Sequence, residues 1–149
     1  MRELGTDVLP SEADRVAWVA KMHLLQYAKG VRRFIWYMYD NGGWGTLWTF
    51  AGGLLPEGVA YGEVYRWMVG ATVSGCDRSP NGTWVCSISR TSPAGYQAWA
   101  VWNEAGTVAF AQPSGATRYR DLAGNTRSLL LPTVTITTSP ILFETQSAW

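Results

Sequence analysis

The chain has 149 residues and a net charge of +1, and charged side chains make up only 15% of it, against about 25% in ordinary globular chains. Residues 1–72 hold seven basic and seven acidic side chains and residues 73–149 five and four, so neither half carries a charge surplus, which argues against an electrostatic nucleic-acid footprint or a polybasic membrane patch. One histidine and two cysteines exclude a zinc site built from several such ligands, no 18-residue apolar stretch exists to cross a membrane, and nine tryptophans stand out in a 47% hydrophobic composition.

Met1-Arg2-Glu3-Leu4-Gly5 lacks the apolar core of a signal peptide. Ser11 is a good helix N-cap, with Asp14 at the capping-box position. Ala13, Ala17, Ala20, Leu24, Tyr27 and Ala28 recur at helical spacing and Gly30 is a natural stop, so a helix is predicted over 12–29. The unbroken apolar run 34–39 reads as a strand buried on both faces, of the kind found in parallel sheets. Alternation puts Trp36, Met38 and Asp40 on one face and Ile35, Tyr37 and Tyr39 on the other. Asp40-Asn41-Gly42-Gly43 ends the run, and a loop carries Trp44, Trp48 and Phe50 among glycines. A second helix is predicted over 57–69, with Ala60, Tyr61, Val64, Trp67 and Met68 on one face and Glu57 and Glu63 on an exposed one.

Composition shifts near Thr72, the best boundary, which divides the chain into 1–72 and 73–149. Beyond it, β-branched and aromatic runs at 83–89, 96–102, 107–111, 117–121, 133–138 and 141–144 have the spacing of a small antiparallel β-sandwich. Trp84, Trp99 and Trp102 are expected in its core. Cys76 and Cys86 flank the turn signal Pro80-Asn81-Gly82. A cross-hairpin disulfide is the favoured reading and two buried thiols the alternative; a disulfide implies an oxidising compartment, secreted or periplasmic. His23 reads as a packed or half-exposed helix residue. No Gly-rich phosphate loop, metal-ligand spacing or Ser-His-Asp set is present, so neither a cofactor nor a metal is expected.

The first half cannot close a sheet alone. A strand buried on both faces needs parallel neighbours, and about 70 residues fall far short of the roughly 200 of a βα barrel. The expectation is an α/β segment of an incomplete (β/α)8 barrel followed by an all-β sandwich, as the C-terminal piece of something longer.

Glu3-Leu4-Gly5, the capped helix, Arg33-Phe34-Ile35-Trp36-Tyr37-Met38-Tyr39-Asp40-Asn41 and Trp44-Gly45-Thr46-Leu47-Trp48 together resemble the last two βα units of a bacterial retaining glycoside hydrolase barrel. The segment 60–70 resembles its closing helix. Tyr119-Arg120-Asp121-Leu122-Ala123-Gly124-Asn125 and Pro140-Ile141-Leu142-Phe143-Glu144 resemble parts of the appended sandwich. The resemblance implies hydrolysis of O-glycosidic bonds in poly- or oligosaccharides by a two-glutamate covalent mechanism, with Glu3 as nucleophile, although Arg2 stands where the family has Thr. It also implies that Trp36 forms a floor facing the barrel axis, with Asp40, Asn41 and Trp44 as further carbohydrate contacts. For Trp36 the competing reading is core packing; for Asp40 and Asn41 it is a loop-fixing turn. The second carboxyl group such a mechanism needs, about 5–5.5 Å from the first, has no match here, so the isolated chain should not turn over substrate. Its partners would be carbohydrate and the remainder of the barrel, or another copy through an open sheet edge. The contrasting hypothesis is a non-catalytic carbohydrate-binding or protein-interaction β-sandwich module.

Overall fold

The computed structural model describes residues 10–40 and 45–148; the expectations for Glu3, Asn41 and Trp44 lie outside these residues. Helix α1 spans Glu12–Ala28. Ser11 caps it, its Oγ accepting from the Asp14 backbone N–H at 3.2 Å and donating to Asp14 Oδ2 at 2.6 Å. Gly30 turns the chain with φ +90°.

The strand expected over 34–39 does not form: residues 31–38 belong to neither helix nor strand. A strand needs a ladder partner, and the backbone groups of residues 32–38 find none among the described residues. The period-two pattern survives, with Phe34, Trp36 and Met38 half-buried while Ile35, Tyr37 and Tyr39 are 79%, 81% and 53% exposed. Both faces of the run are apolar, but only one has found something to pack on.

A short hairpin follows, β1 (Trp48–Thr49) with β2 (Gly53–Leu54), and then α2 (Pro56–Met68), which opens with Pro56 in its first turn. Gly58 lies so close to the Leu47 carbonyl and the Leu54 side chain that a Cβ would collide with both. Arg15 Nε donates to Glu57 Oε1 at 2.5 Å near the start of both helices. Near their far ends the Tyr27 hydroxyl donates to the Ala71 carbonyl at 3.4 Å. The helices therefore run side by side in the same direction. The segment between them runs the opposite way, since Trp18 meets Trp36 and, a turn later, His23 meets Phe34.

The remaining strands are β3 (Thr72–Arg78), β4 (Thr83–Ser89), β5 (Gln97–Asn103), β6 (Val108–Ala111), β7 (Arg118–Arg120), β8 (Thr126–Ser128), β9 (Thr133–Ile136) and β10 (Ile141–Glu144). Six of them form one sheet in the order β3-β4-β5-β10-β7-β8, and β6 pairs with β9 in a separate ribbon. Every strand pair among the described residues is antiparallel. A shift of register between Val73 and Gly75 marks a bulge in β3.

The two faces of the sheet have different covers. Cys86, Ile88, Ala98, Ala100, Trp102 and Leu142 pack with Val19, Leu24, Ala60, Val64 and Trp67 of the helices. Val101 and Phe143, with Val85 and Trp99, pack with Val108, Phe110, Val134 and Ile136 of the ribbon. The second half is thus sandwich-like, with a two-stranded ribbon as its outer layer. The change of element type falls at Thr72, where β3 begins, but the larger core is continuous across that point.

Cys76 and Cys86 stand directly opposite each other in the β3–β4 ladder and are joined by a disulfide, which settles the alternative of two thiols. Among the described residues no helix is long and apolar enough to cross a membrane.

Candidate functional site

The aromatic residues gather where the 31–40 segment crosses the two helices. The Trp36 ring stacks near the His23 imidazole (centroids 5.8 Å apart) and meets Trp18 at 5.7 Å and Tyr61 at 6.1 Å, both edge-on. Its indole Nε1–H donates to the Gly45 carbonyl at 2.6 Å. This reverses the orientation expected for Trp36: it belongs to the helix-facing side, and Ile35, Tyr37 and Tyr39 form the outward one. A large ring gains more by packing into a nest of aromatic side chains than by standing in water, so the helices claim it. Trp36 is half-buried there.

Two clefts flank Trp36. The larger, about 410 Å³, is lined by Phe34, Ile35, Trp36, Tyr39, Leu54 and Tyr61 among others. The smaller, about 220 Å³, lies on the α1 side, with Trp18, Met22 and Tyr37 in its wall. The rim of the larger cleft is anchored by Tyr39, whose carbonyl accepts from Leu47 N–H at 2.9 Å and Trp48 N–H at 3.0 Å. Tyr39 and Trp48 lie nearly parallel with ring centres 6.2 Å apart, and exposed Phe50 meets Trp48 edge-on at 4.8 Å. Asp40, an expected substrate contact, is exposed at the end of this segment.

His23 is held inside the nest, with Nδ1 2.7 Å from the Val19 carbonyl. That partner is an acceptor, so Nδ1 carries the proton and donates. Burial pulls the His23 pKa below its ordinary value, opposed in part by the Val19 hydrogen bond.

The sequence assigned Glu57 and Glu63 to an exposed helix surface; instead they are 5% and 2% exposed. Glu57 pairs with Arg15, and Glu63 with Arg66 and, at 3.8 Å, with Arg120 of β7. Glu144 of β10, fully buried, accepts from the Tyr96 hydroxyl at 3.0 Å and faces Arg118 and Arg120 at 3.5 and 3.6 Å. Burial and the adjacent Glu144 push the Tyr96 hydroxyl pKa well up. These carboxylates are committed to arginines in the interior, not to a cleft. Among the described residues no three His, Cys, Asp or Glu side chains gather as a metal site.

The remaining tryptophans divide as follows. Trp67 is buried, Trp18 is 46% exposed with its ring edge-on to Trp36, and Trp84 stacks on Trp102 at 5.8 Å within the sheet core. Tyr37, Tyr39, Phe50 and Tyr61 were not singled out from the sequence as site residues. The signal lay in the alternation of 34–39, which carries rings on both faces and therefore leaves an aromatic face outward whichever side the helices take. Comparison with protein-family models, curated proteins and solved structures finds no match to this chain.

Proposed function

We propose that the chain is the C-terminal part of a retaining glycoside hydrolase and supplies an aromatic wall of its carbohydrate site. The observation that carries this reading is the outward row of Ile35, Tyr37 and Tyr39 beside a cleft floored by Trp36 and Tyr61. Tyrosine and tryptophan rings receive the apolar faces of sugars, while nearby polar groups meet the hydroxyls. A second support is the pair of parallel helices with an oppositely directed apolar segment between them, which is the internal geometry of consecutive βα units. In this reading the backbone of 32–38 awaits parallel strands from further βα units.

Glu3 is the nucleophile in this reading, and the acid/base carboxyl comes from outside the chain. Tyr37 and Tyr39 join Trp36, Asp40, Asn41 and Trp44 as carbohydrate contacts. The disulfide supports folding in an oxidising compartment, secreted or periplasmic. The test is an aryl-glycoside assay on a full-length protein that contains this chain and on the chain by itself. Activity only in the longer protein, abolished by Glu3→Gln with the circular dichroism spectrum retained, is the expected result. Turnover by the isolated chain, or full activity in Glu3→Gln, would refute the assignment.

A second reading, a non-catalytic carbohydrate-binding module, is favoured by the engagement of Glu57, Glu63 and Glu144 in interior ion pairs, which leaves the cleft without a paired carboxylate among the described residues. Saturable oligosaccharide binding with no hydrolysis, in the longer protein as well as in the isolated chain, would favour the module over the enzyme.

A further inference from the structure

We infer that this aromatic site takes an uncharged pyranose chain with equatorial hydroxyls, and discriminates against uronate-containing or sulfated saccharides; the inference rests on the carbohydrate reading above. Among the described residues, none that lines either cleft is charged. Several cations of the helices, of the 31–40 segment and of β7 are already engaged: Arg15 with Glu57, Arg66 and Arg120 with Glu63, and Arg32 over the Tyr27 ring at 5.5 Å, while Lys21 feels the charges of Glu104 and Asp14. His23 is packed among rings with its pKa lowered, so it contributes no positive charge near neutral pH.

Two ionisable residues bound the outward row, Arg33 before it and Asp40 after it, both exposed. Arg33 adjoins Phe34 at one end of both clefts, but it is four residues from Tyr37, about 13 Å along an extended chain, which exceeds the screening length of about 8 Å at physiological salt. Asp40 adjoins Tyr39 and would repel a carboxylate or sulfate seated there. An anionic sugar seated on Tyr37 and Tyr39 would thus lose hydration against apolar walls without gaining a counter-charge there. An equatorially substituted neutral pyranose has the opposite fit. Its flat C–H faces lie on the rings, and its rim of hydroxyls reaches the Tyr37 and Tyr39 hydroxyls and the Asp40 carboxylate.

The test is isothermal titration of the protein with cellohexaose and with hexagalacturonate in about 0.15 M salt, repeated with Tyr37→Ala. Tyr37 is a surface side chain, so its removal leaves the packed core intact; circular dichroism checks this. Cellohexaose binding that weakens about tenfold or more in Tyr37→Ala, with no heat from hexagalacturonate, is the expected result. Hexagalacturonate binding as tightly as cellohexaose would overturn the charge selectivity and leave the carbohydrate reading standing. Binding of neither saccharide would overturn both. Cellohexaose binding unchanged by Tyr37→Ala would move the site elsewhere and overturn this assignment.

Discussion

Arg90, just past the end of β4, reaches across to the C-terminal end of α2. Its guanidinium donates to the carbonyls of Val69 at 2.7 Å and Trp67 at 3.3 Å, and also to that of Arg66. These are carbonyls that a helix end leaves without partners, and a cation there also suits the helix dipole. Arg90→Ala should lower unfolding stability by about 1–2 kcal/mol; an unchanged urea midpoint would show that water replaces it. Gly124 works by absence of a side chain. It sits at φ +85°, where a Cβ would lie 3.1 Å from Glu63 Oε1, the oxygen that Arg66 holds, so Gly124→Ala should strain both the turn and the Glu63–Arg66 pair and cost more than about 1 kcal/mol. The His23 shift carries a pH signature. The unfolded chain takes up the proton near the ordinary pKa of about 6.5, while the buried ring resists it to lower pH. Stability should therefore be full above about 6.5 and fall as pH drops below that value, levelling off at the folded pKa. Melting temperatures between about pH 7 and pH 5 should fall less in His23→Gln; equal slopes would remove His23 as the cause.

Among the elements, the β3–β4 hairpin is the most constrained. Its disulfide closes a loop of sequence separation 10, and the loop-entropy relation gives about 3 kcal/mol for a ring of that size. The double variant Cys76→Ala, Cys86→Ala should lose about 2–3 kcal/mol by denaturant titration, and a loss below about 1 kcal/mol would mean that the β4–β5 ladder alone holds the hairpin. Strand β4 and strand β10 were legible to the residue, because β-branched and aromatic side chains alternate there between clear turns. Helix α1 was legible from Ser11 and Gly30. Strand β3 was read only as the unbounded arm that carries Cys76 in the hairpin, since Gly75 and the bulge break its alternation, and β8 was missed because three exposed polar residues carry no periodic signal. The segment 34–39 misled for a different reason. Its composition describes an environment with partners on both sides, and composition cannot report whether those partners are in place. The alternation of the run was readable, but which of its two faces meets the helices is decided by the packing of Trp36 on Trp18, His23 and Tyr61, which sequence alternation leaves undetermined.

At the scale of the whole molecule, the helices and the sheet share one interior. Trp102, Ile88 and Leu142 depend on Leu24, Val64 and Trp67 for their cover. Residues 73–149 produced alone would expose that face, so they should bind a hydrophobic dye and lose the near-ultraviolet signal of the Trp84–Trp102 pair. A cooperative unfolding transition with that signal intact would establish the sheet as an independent module. The ion pair from Glu63 on α2 to Arg120 on β7 ties the same halves by charge. The outward face of 34–39 has the opposite character: it is apolar, and over residues 34–38 the backbone has no ladder partners among the described residues, which invites edge association. Sedimentation of the isolated chain should show self-association that Tyr37→Lys reduces, and a monodisperse monomer at high concentration would argue against it.

The place of β10 has a consequence for how the protein is made. In the sheet order β10 lies between β5 and β7, pairing with both, although residues 141–144 come late in the chain. While the ribosome is still adding earlier residues, the β3-β4-β5 side and the β7-β8 side have no strand to join them. Tyr96 likewise has no Glu144 to bond. The nascent chain must then hold an unclosed, Trp-rich surface until nearly all of this sequence has emerged, a period in which chaperones have something to grasp. Ribosome-stalled chains ending before residue 141 should be cut readily by protease, and those extending well past 144 should resist; early resistance would mean that the sheet halves stand without their centre strand.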